Sequence, residues 1–585
     1  MLLLTCILLS VAGHKVSAAV TGRTSNGPSQ QVLAGISGSG AAFPFADNVR
    51  GDAATAFRCD IPPAIAPGDD GLPSAEELFT GPEVLKKQVE RHAALVRIPS
   101  VGYDDMGDVY EDSRWLVFLD LHRLLEELYP NVHARMSLTK VHRLGLVYTV
   151  DGSNPSLRPL MLTAHQDVVP VADAFTWKYP PFSAHYDGKF LWGRGASDDK
   201  NSLTALMSTL EALFAPERAW TPRRSLVLAF GFDEETSGEM GAGSIASYLE
   251  KRFGANSMVM ILDEGGGLQR IGNTVFALPS VLEKGHVDVL YELRVNGGHS
   301  STPFPHTGIG ILAEIITALE AHPYEPKVIP GSAIHNTYVC KARYEPDAQP
   351  EITRLVQAGD LEKLTEALVA LDRPTNFRIQ TSQAVDLIFG GVKINAMPEL
   401  ITLGVNYRVA PHNSIDEVKA RTLKLIEPTV SKYGLTLKAF GRTIPEAEST
   451  QVDMPDVVGG NGADAVQPLY TVDYNGTLII TTNQETQVAP VSPTSGPIWD
   501  VFSGTIQHSF AFDGGNVVPV GDIMTGNTDT RHYLNLTPNI YRWAPTFEGS
   551  TFNAHTVDER VDMNGQLGMI RFYYDLIRNF DASDA

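Results

Sequence analysis

Basic residues are scarce in this sequence relative to acidic ones. Its 585 residues include 46 lysines and arginines against 68 aspartates and glutamates, so the formal net charge is −22. Binding to nucleic acid depends on clustered lysines and arginines that neutralise phosphates, and we find no basic patch along the chain. The shortage therefore argues against a nucleic-acid partner. A solvated acidic surface explains most of the charge, and a site that collects carboxylates adds a little.

Long apolar runs are missing as well, except at the N-terminus. Residues 2–13 form an apolar run that is too short to cross a bilayer unless it is extended. Lys15 and small residues up to Ala18 follow it, as in a secretory signal cleaved after residue 18. No basic residue precedes the run, so an uncleaved signal anchor stays open as the alternative. We expect residues 1–18 to direct the protein into the secretory route, with any membrane anchor confined to this end.

Cysteine is rare, with three in the whole chain. Cys6 falls in the expected signal, which leaves Cys59 and Cys340. These two could form one disulfide, but the number of residues between them does not give their distance in the fold. Asn475 and Asn535 each begin an Asn-x-Thr sequon, and we expect glycosylation there if the two side chains are exposed.

The first half of the chain changes from a loose to a regular pattern. Residues 19–73 are rich in Gly, Ser, Ala and Pro without periodicity, so we predict a leader or extension there. In residues 74–286, helical patterning gives way to short continuous apolar runs, which are typical of strands covered on both faces. These runs are residues 160–164, 225–230 and 257–262, with a helical stripe at 202–214 between the first two. We predict an α/β domain with a mostly parallel sheet and helices on both faces.

The pattern changes again at about residue 287. Val289, Tyr291, Leu293 and Val295 alternate with polar residues, which predicts a strand with one buried face. The elements predicted after it are a helix at 309–321, a strand at 401–409 and a helix at 414–432. We therefore predict an inserted α+β domain at 287–439. Residues 440–585 should return to the first domain and end in a helix at 564–578, and we find no internal repeat.

Five groups rich in His, Asp and Glu stand out, and several of them follow predicted strands. They are His165-Gln166-Asp167, Gly193-Arg194-Gly195-Ala196-Ser197-Asp198-Asp199-Lys200, Asp233-Glu234-Glu235, Asp263-Glu264-Gly265-Gly266 and His555-Thr556-Val557-Asp558-Glu559-Arg560. Ligands of an open α/β sheet bind beyond the carboxyl ends of its strands. We therefore expect these groups to converge on one edge of the sheet.

Each group alone has an ordinary structural explanation. A single histidine after a buried strand is more often a capped core residue than a ligand. The pair Glu234-Glu235 would usually be a solvated helix start, and Asp198-Asp199 before a helix would usually be an N-cap. Together, however, one histidine and three acidic pairs would share one rim. Burying that much negative charge without a cation is costly, so the set indicates a pair of divalent metal ions.

In this order the five groups closely resemble the di-zinc peptidase family that includes carboxypeptidase S, the aminoacylases, the glutamate-releasing carboxypeptidases and succinyl-diaminopimelate desuccinylase. The resemblance covers about residues 75–585. The chain length, the start that resembles a signal, the Asp263-Glu264-Gly265-Gly266 group and the closing group from His555 point to the carboxypeptidase S branch. That branch also contains secreted enzymes that act on N-acyl amino acids.

The resemblance implies two zinc ions per chain. The ligands it implies are His165 and Asp263 for the first ion, Glu235 and His555 for the second, and Asp198 for both. Glu264 could replace Asp263 if the strand before it ended one residue later. This mixture of imidazole and carboxylate ligands suits zinc.

The resemblance also implies roles in the reaction for residues beside these ligands. Asp167 lies two residues after His165, on the same side of an extended chain, and would orient the imidazole. Glu234 would be the general base, which takes a proton from the attacking water and returns it to the leaving amine.

The inserted domain resembles the lid of this family. His299 would help to hold the carbonyl oxygen as it becomes an oxyanion, although a surface position explains a histidine in a glycine-rich turn equally well. Asn395 and Arg408 of the lid, with Arg531 outside it, would grip the substrate. A guanidinium holds a carboxylate with two parallel hydrogen bonds, which would recognise a free C-terminus. In several relatives the lids pair in a homodimer and this histidine reaches the partner's site, whereas others are monomers.

We therefore expect a zinc-dependent carboxypeptidase that releases the C-terminal amino acid from short peptides of the Gly-Xaa type. Hydrolysis or synthesis of an N-acyl amino acid at the same site is the first alternative. An inactive binding module on the same fold is a remote one, because all five implied ligands and Glu234 are present. Relatives of carboxypeptidase S reach the vacuole lumen, whereas a cleaved signal without a sorting anchor would lead outside the cell.

Overall fold

The computed structural model describes residues 57–444 and 472–585. The predicted signal at 1–18 lies outside these residues, as does the predicted leader up to residue 56. The α-helices are α1 (Ala75–Leu78), α2 (Pro82–Val96), α3 (Val117–Leu128), α4 (Pro130–Arg135), α5 (Lys200–Leu213), α6 (Ala242–Phe253), α7 (Gly308–Glu320), α8 (Ala333–Tyr344), α9 (Pro350–Ala358), α10 (Leu361–Leu371), α11 (Arg373–Arg378), α12 (Ile415–Lys432), α13 (Pro497–Ser509) and α14 (Met563–Ala582).

The strands fall into two main sheets and two small ones. In chain order they are β1 (Ser137–Val141), β2 (Gly145–Val150), β3 (Leu160–His165), β4 (His185–Tyr186), β5 (Phe190–Trp192), β6 (Leu226–Gly231), β7 (Met260–Ile271), β8 (Thr274–Ala277), β9 (Ser280–Glu283), β10 (Gly285–Arg294), β11 (Gly298–His299), β12 (Ser382–Gly390), β13 (Ala396–Met397), β14 (Leu400–Val409), β15 (Thr436–Ala439), β16 (Arg442–Ile444), β17 (Thr477–Thr486), β18 (Asn516–Pro519), β19 (Asp522–Met524), β20 (Ile540–Phe547), β21 (Thr551–Phe552) and β22 (Arg560–Asp562).

The larger sheet has the strand order β1-β2-β6-β3-β7-β20-β9-β19, with β8 and β18 attached beside β7. Its central strands β6, β3, β7 and β20 are parallel. Leu160 and Leu162 of β3 join the core that includes α5 and α14, whereas Met161 joins the core that includes α6. The strand is therefore covered on both faces, as its continuous apolar run predicts. The predicted α/β fold class is confirmed.

The smaller sheet has the order β12-β14-β10-β17-β15-β16 and is antiparallel except for the pair β15 and β17. Val287, Val289, Tyr291 and Leu293 of β10 are buried and pack with residues of α7 and α12. This is the α+β lid that the alternating pattern predicts. Strand β17 follows the predicted boundary at residue 439 and nevertheless pairs with β10, so the lid sheet is completed by a later part of the chain.

The helices α8 to α11 lie inside the predicted insertion but pack elsewhere. Ile334, Leu355 and Leu364 belong to the core of the larger sheet, not to that of the lid. Their apolar faces are therefore buried against the first domain. Cys340 of α8 also forms a disulfide with Cys59, which joins these helices to the chain segment ahead of α1.

The described surface bears on two further expectations. Asn475 and Asn535 are both exposed, so the condition set for glycosylation is met at each sequon. Within residues 57–444 and 472–585, no helix combines the length and the apolar character that a membrane crossing requires.

Candidate active site

Three parallel strands deliver the central groups to one edge of the larger sheet. His165 ends β3, and the short 3-10 turn Glu234–Thr236 follows β6. Asp263 and Glu264 lie in β7, which pairs with β3 in parallel. Asp198 precedes α5 and the loop of His555 precedes β22. The convergence expected from the sequence is therefore present.

Asp198 lies between two histidines. Its Oδ1 is 3.2 Å from His165 Nε2 and its Oδ2 is 3.1 Å from His555 Nε2. His555 Nε2 is also 3.0 Å from Glu235 Oε2, and the ligand atoms of His165, Asp198 and Glu235 lie within 4.8 Å of one another. One carboxylate thus serves two neighbouring groups of ligand atoms, an arrangement that suits an ion on each side of it.

Asp167 holds three of the site residues in position. Its carboxylate oxygens accept hydrogen bonds from the backbone N–H groups of Glu234 and Glu235, at 3.1 and 3.0 Å. Its Oδ1 also lies 3.3 Å from His165 Nδ1, which leaves Nε2 of that ring facing Asp198. The side chain is fully buried, so these contacts fix the two glutamates and the imidazole together.

The two acidic neighbours in β7 have different surroundings. Glu264 Oε1 is 3.7 Å from His165 Nε2, and Glu264 forms a second possible ligand group with His165 and Asp199. Asp263 belongs to neither group. Its Oδ1 accepts from the Glu264 N–H at 3.0 Å, and its Oδ2 has no hydrogen-bond partner among the described residues. The geometry favours Glu264 over Asp263, the residue that the family resemblance implies.

The electrostatics of the cluster show an excess of negative charge. Hydrogen bonds to Asp198 and Glu235 raise the pKa of His555 to about 10. Burial opposes a charge on His165, but its contacts with Asp167 and Asp198 still raise its pKa well above the usual value. Burial raises the pKa of Glu235, with the charge of Asp198 adding to the shift. The cluster therefore favours any cation placed within it.

This donor set fits divalent metal ions. Buried oxygens of Glu235, Asp199 and Asp263 have no hydrogen-bond partner among the described residues, and an unpaired buried polar atom is costly. Imidazole nitrogens and carboxylate oxygens in this proportion are ligands that zinc accepts. The residues present can therefore hold two ions, with Asp198 facing both.

Glu234 lies beside this cluster and near two arginines. Burial raises its pKa well above the usual value, and among the charges acting on it are His165 and Arg531. Arg531 Nε has no hydrogen-bond partner among the described residues. Burial lowers the pKa of Arg408, on which the charges of Asp288, Arg531 and Glu234 act in turn. Arg408 of the lid and Arg531 of the first domain thus approach the same acid.

His299 and Asn395 lie together at an exposed corner of the lid. The small strands β11 and β13 pair there, with His299 opposite Ala396, and the Ser300 N–H donates to the Asn395 carbonyl at 3.2 Å. His299 Nδ1 bonds to Ser301 Oγ at 2.7 Å. Neither His299 nor Asn395 contributes to the possible ligand groups, so the structure does not bring them to the centre with the other predicted residues.

Glu559 is a site residue to which the sequence analysis gives no role, although it stands in the last motif. Its carboxylate accepts from Arg194 Nη1 at 2.6 Å and from the backbone N–H groups of Gly195 and Ser197 at 2.9 and 2.8 Å. Glu559 is fully buried. It therefore clamps the loop before Asp198 to the loop that carries His555. An acid four residues after a predicted ligand was the available clue.

Comparisons with known proteins agree with this geometry. Residues 161–579 match Peptidase family M20/M25/M40. Carboxypeptidase S of Saccharomyces cerevisiae is 37% identical over 532 residues, which cover 86% of this chain and 86% of that protein. N-fatty-acyl-amino acid synthase/hydrolase PM20D1 of Mus musculus is 28% identical over 520 residues, which cover 87% and 89%. The solved structure of human carnosine dipeptidase 1 has the same fold, with a TM-score of 0.59 at 13% identity over 87% of this chain and 99% of that one.

Substitution of the two neighbours in β7 tests which one binds a metal ion. Glu264→Ala should lower the zinc content of the purified protein by about one ion per chain, because it removes an oxygen that faces His165. Asp263→Ala should keep more of the zinc. Atomic absorption on both variants, with circular dichroism as the control for folding, makes the comparison. Loss of zinc from Asp263→Ala alone would reverse the assignment.

Proposed function

This chain belongs to Peptidase family M20/M25/M40, and on that premise we propose that it is a zinc-dependent carboxypeptidase. It releases the C-terminal amino acid from short peptides of the Gly-Xaa type. The observation that carries the proposal is Asp198 between His165 and His555, with Glu234 and two arginines beside them. The relative named carboxypeptidase S supports the choice of reaction.

The residues that would hold the two zinc ions follow from the distances at the site. His165, Asp198 and Glu264 would hold one ion, and Asp198, Glu235 and His555 the other. When bound, zinc lowers the pKa of a coordinated water and polarises a carbonyl group, which prepares both for amide hydrolysis. Asp167 keeps the His165 ring and the Glu234–Glu235 backbone in place for this chemistry.

Glu234 is the proton carrier in this proposal. Its Oε accepts the proton of the attacking water and then donates it to the nitrogen of the leaving amino acid. A raised pKa suits the second step, since a carboxyl group that keeps a proton more readily is a better acid. Glu235, which follows it, faces His555 instead and holds charge.

Arg408 and Arg531 would bind the free carboxylate of the substrate. Each guanidinium can form two parallel hydrogen bonds with a carboxylate. The side chain of Arg408 is held by Asn527 Oδ1 at 2.8 Å, across the boundary between the lid and the first domain. Asn395 of the lid would add a further polar contact. Hydrolysis of N-acyl amino acids, which also end in a free carboxylate, is the second candidate, supported by the similarity to PM20D1.

His299 would act on the site of a second copy of this chain. It is exposed beside Asn395, and β12, the outermost strand of the lid sheet, ends close to it in sequence. Leu387, Ile388 and Phe389 of β12 are about half exposed or more, at 49%, 50% and 63%. An uncovered strand edge with apolar side chains favours pairing with another strand, so we include a homodimer through the lid in the proposal.

The vacuole lumen or the extracellular space would be the location of the enzyme. The disulfide between Cys59 and Cys340 supports a route through an oxidising compartment, and the sequons at Asn475 and Asn535 are exposed. Attachment to a membrane would involve only the N-terminal residues that precede the described part of the chain.

Replacing the two glutamates separately tests their roles. Glu234→Ala should abolish turnover of Gly-Leu and leave the zinc content nearly unchanged, because this side chain carries protons. Glu235→Ala should lose zinc as well as activity, because it contacts His555. Zinc analysis and turnover are measured on the same samples. Full zinc and equal loss of activity in both variants would contradict the division of roles.

Amidation of the substrate tests recognition of the C-terminus. Gly-Leu amide should be cleaved more than about a hundredfold more slowly than Gly-Leu, since the loss of charge-assisted hydrogen bonds to the arginines costs on the order of 3 kcal/mol. Arg531→Ala should narrow this ratio, whereas substitution of the exposed Arg354 of α9 should leave it as it is. Similar rates on both substrates would favour a general amidase.

Mixing two inactive variants tests the position of His299. His299→Ala alone should reduce turnover by roughly 100- to 1000-fold, the usual effect of one lost oxyanion donor, with unchanged zinc. If the histidine acts on the partner, mixed dimers of His299→Ala and Glu234→Ala contain one site with both residues intact. Activity should then reappear on mixing. Mixed dimers without activity would show that His299 serves its own chain or has no role.

A further inference from the structure

A groove of about 830 Å³ begins at the candidate metal ligands and leads away from the arginines. Asp198, Asp199 and Glu264 form its near end, and Gln269 and Glu548 lie along its course. Neither Arg408 nor Arg531 lines it. A volume of this size is in the upper part of the range for ligand sites. It exceeds what the acyl half of a dipeptide needs.

Strand β7 gives the length of the groove. Glu264 and Gln269 both lie on this strand and both line the groove. A strand rises about 3.3 Å per residue, so five steps correspond to roughly 16 Å. An extended peptide has the same rise, and about four of its residues would fit along this wall.

The middle of this wall carries no side chains. Gly265, Gly266 and Gly267 separate Glu264 from the rest of β7. A Cβ atom on Gly266 would lie 1.9 Å from the Leu278 carbonyl oxygen, and one on Gly267 would lie 2.6 Å from that of Thr546. Close packing of the neighbouring strands thus requires glycine here. As a result the path away from the metal ligands stays free of side chains.

The far end of the groove contains charges of both signs. Gln269 Nε2 donates to Glu548 Oε2 at 3.4 Å, which places Glu548 at this end. Arg378 forms an ion pair with Asp522 at 3.0 Å. Lys341 of α8 lines the same groove, feels the charges of Asp522 and Glu548, and makes no ion pair within the described parts of the chain. An ammonium group in the wall is therefore left to attract an anion from a ligand.

This lining favours a peptide over a fatty acyl chain. Leu371, Met524 and Phe547 supply apolar surface, but an alkyl chain reaching the far end would desolvate Lys341 and Asp372 without offering them hydrogen bonds. Burial of charged groups without partners is costly. A peptide can satisfy such groups with its own amides and polar side chains.

We propose that this groove binds the acyl-side part of peptides longer than dipeptides, and that Lys341 selects an acidic side chain about four residues before the scissile bond. The inference rests on the proposed carboxypeptidase function. It extends the substrate class from dipeptides to peptides of about five residues, with the C-terminal residue held by the arginines and the remaining residues in the groove.

Turnover of matched peptides tests the proposal. The substrates are Gly-Leu and two acetylated pentapeptides, Glu-Ala-Ala-Gly-Leu and Gln-Ala-Ala-Gly-Leu. The wild-type enzyme should prefer the Glu peptide by roughly tenfold in kcat/KM, the scale of one charge-assisted contact in a partly open site. Lys341→Met should reduce this ratio to about one, and Lys341→Glu should invert it when an N-terminal Lys peptide is included. Lys363→Met, on the neighbouring helix α10 and outside the groove, should keep the ratio.

A second variant and a binding measurement remove dependence on one substitution. Leu371 is 41% exposed, so Leu371→Trp should fold and narrow the groove, lowering the rate on the pentapeptides relative to that on Gly-Leu. Calorimetry with the Glu234→Gln variant should show tighter binding of the Glu peptide than of the Gln peptide. The difference should vanish when Lys341→Met is added.

The outcomes separate the two levels of the proposal. Cleavage of Gly-Leu, with equal rates on the Glu and Gln peptides in every variant, would overturn the groove assignment and leave the carboxypeptidase function intact. Cleavage of N-lauroyl-leucine that is faster than that of the pentapeptides and is blocked by Leu371→Trp would show an acyl-chain groove and also overturn it. If no peptide is cleaved at all, the proposed function fails, and the groove proposal fails with it.

Discussion

The contacts of Asp198 with His165 and His555 are the constraint on which the rest of the site depends. Both oxygens of this carboxylate are engaged, one by each histidine, and Glu235 and Glu264 complete the acidic surroundings. Carboxylates gathered in a partly buried space repel one another unless cations compensate them. The raised pKa values of both histidines express this demand for positive charge. Two divalent ions would meet it and would supply the chemistry of amide hydrolysis as well.

The fold brings the ligands of this site from distant parts of the chain, and two buried acids keep them in register. Asp167 ties the end of β3 to the turn after β6, so His165 and the glutamates move as one unit. Glu559 ties the loop before Asp198 to the loop of His555. Neither acid needs to touch a metal ion. Both act by holding other residues, which is the usual role of the partners of metal ligands.

Much of this arrangement could be predicted from the sequence because its physical causes are local. Continuous apolar runs predicted the buried parallel strands, and strict alternation predicted strand β10 with its single buried face. The motifs follow those strands, so their convergence at one edge was also predictable. The disulfide was not, since Cys59 and Cys340 are 281 residues apart and only the packed fold sets their distance.

Other features depend on details that a pattern of residues does not contain. The register between β20 and β7 shifts near Gly266, so simple alternation does not decide whether Asp263 or Glu264 faces His165. The helices α8 to α11 are amphipathic and could cover either sheet. Their packing on the first domain follows from the shape of the surface that receives them. Glu559 was visible in its motif, but its role emerges only from the loop that it contacts.

The metal content of the purified protein tests the central claim most directly. We predict about two zinc ions per chain, because the ligand atoms around Asp198 form two sets that share this one carboxylate. Asp198→Asn should lower the content well below one ion per chain, whereas the same change at the exposed Asp105 should have no effect. A wild-type protein with a single zinc ion, retained in full by Asp198→Asn, would contradict the account.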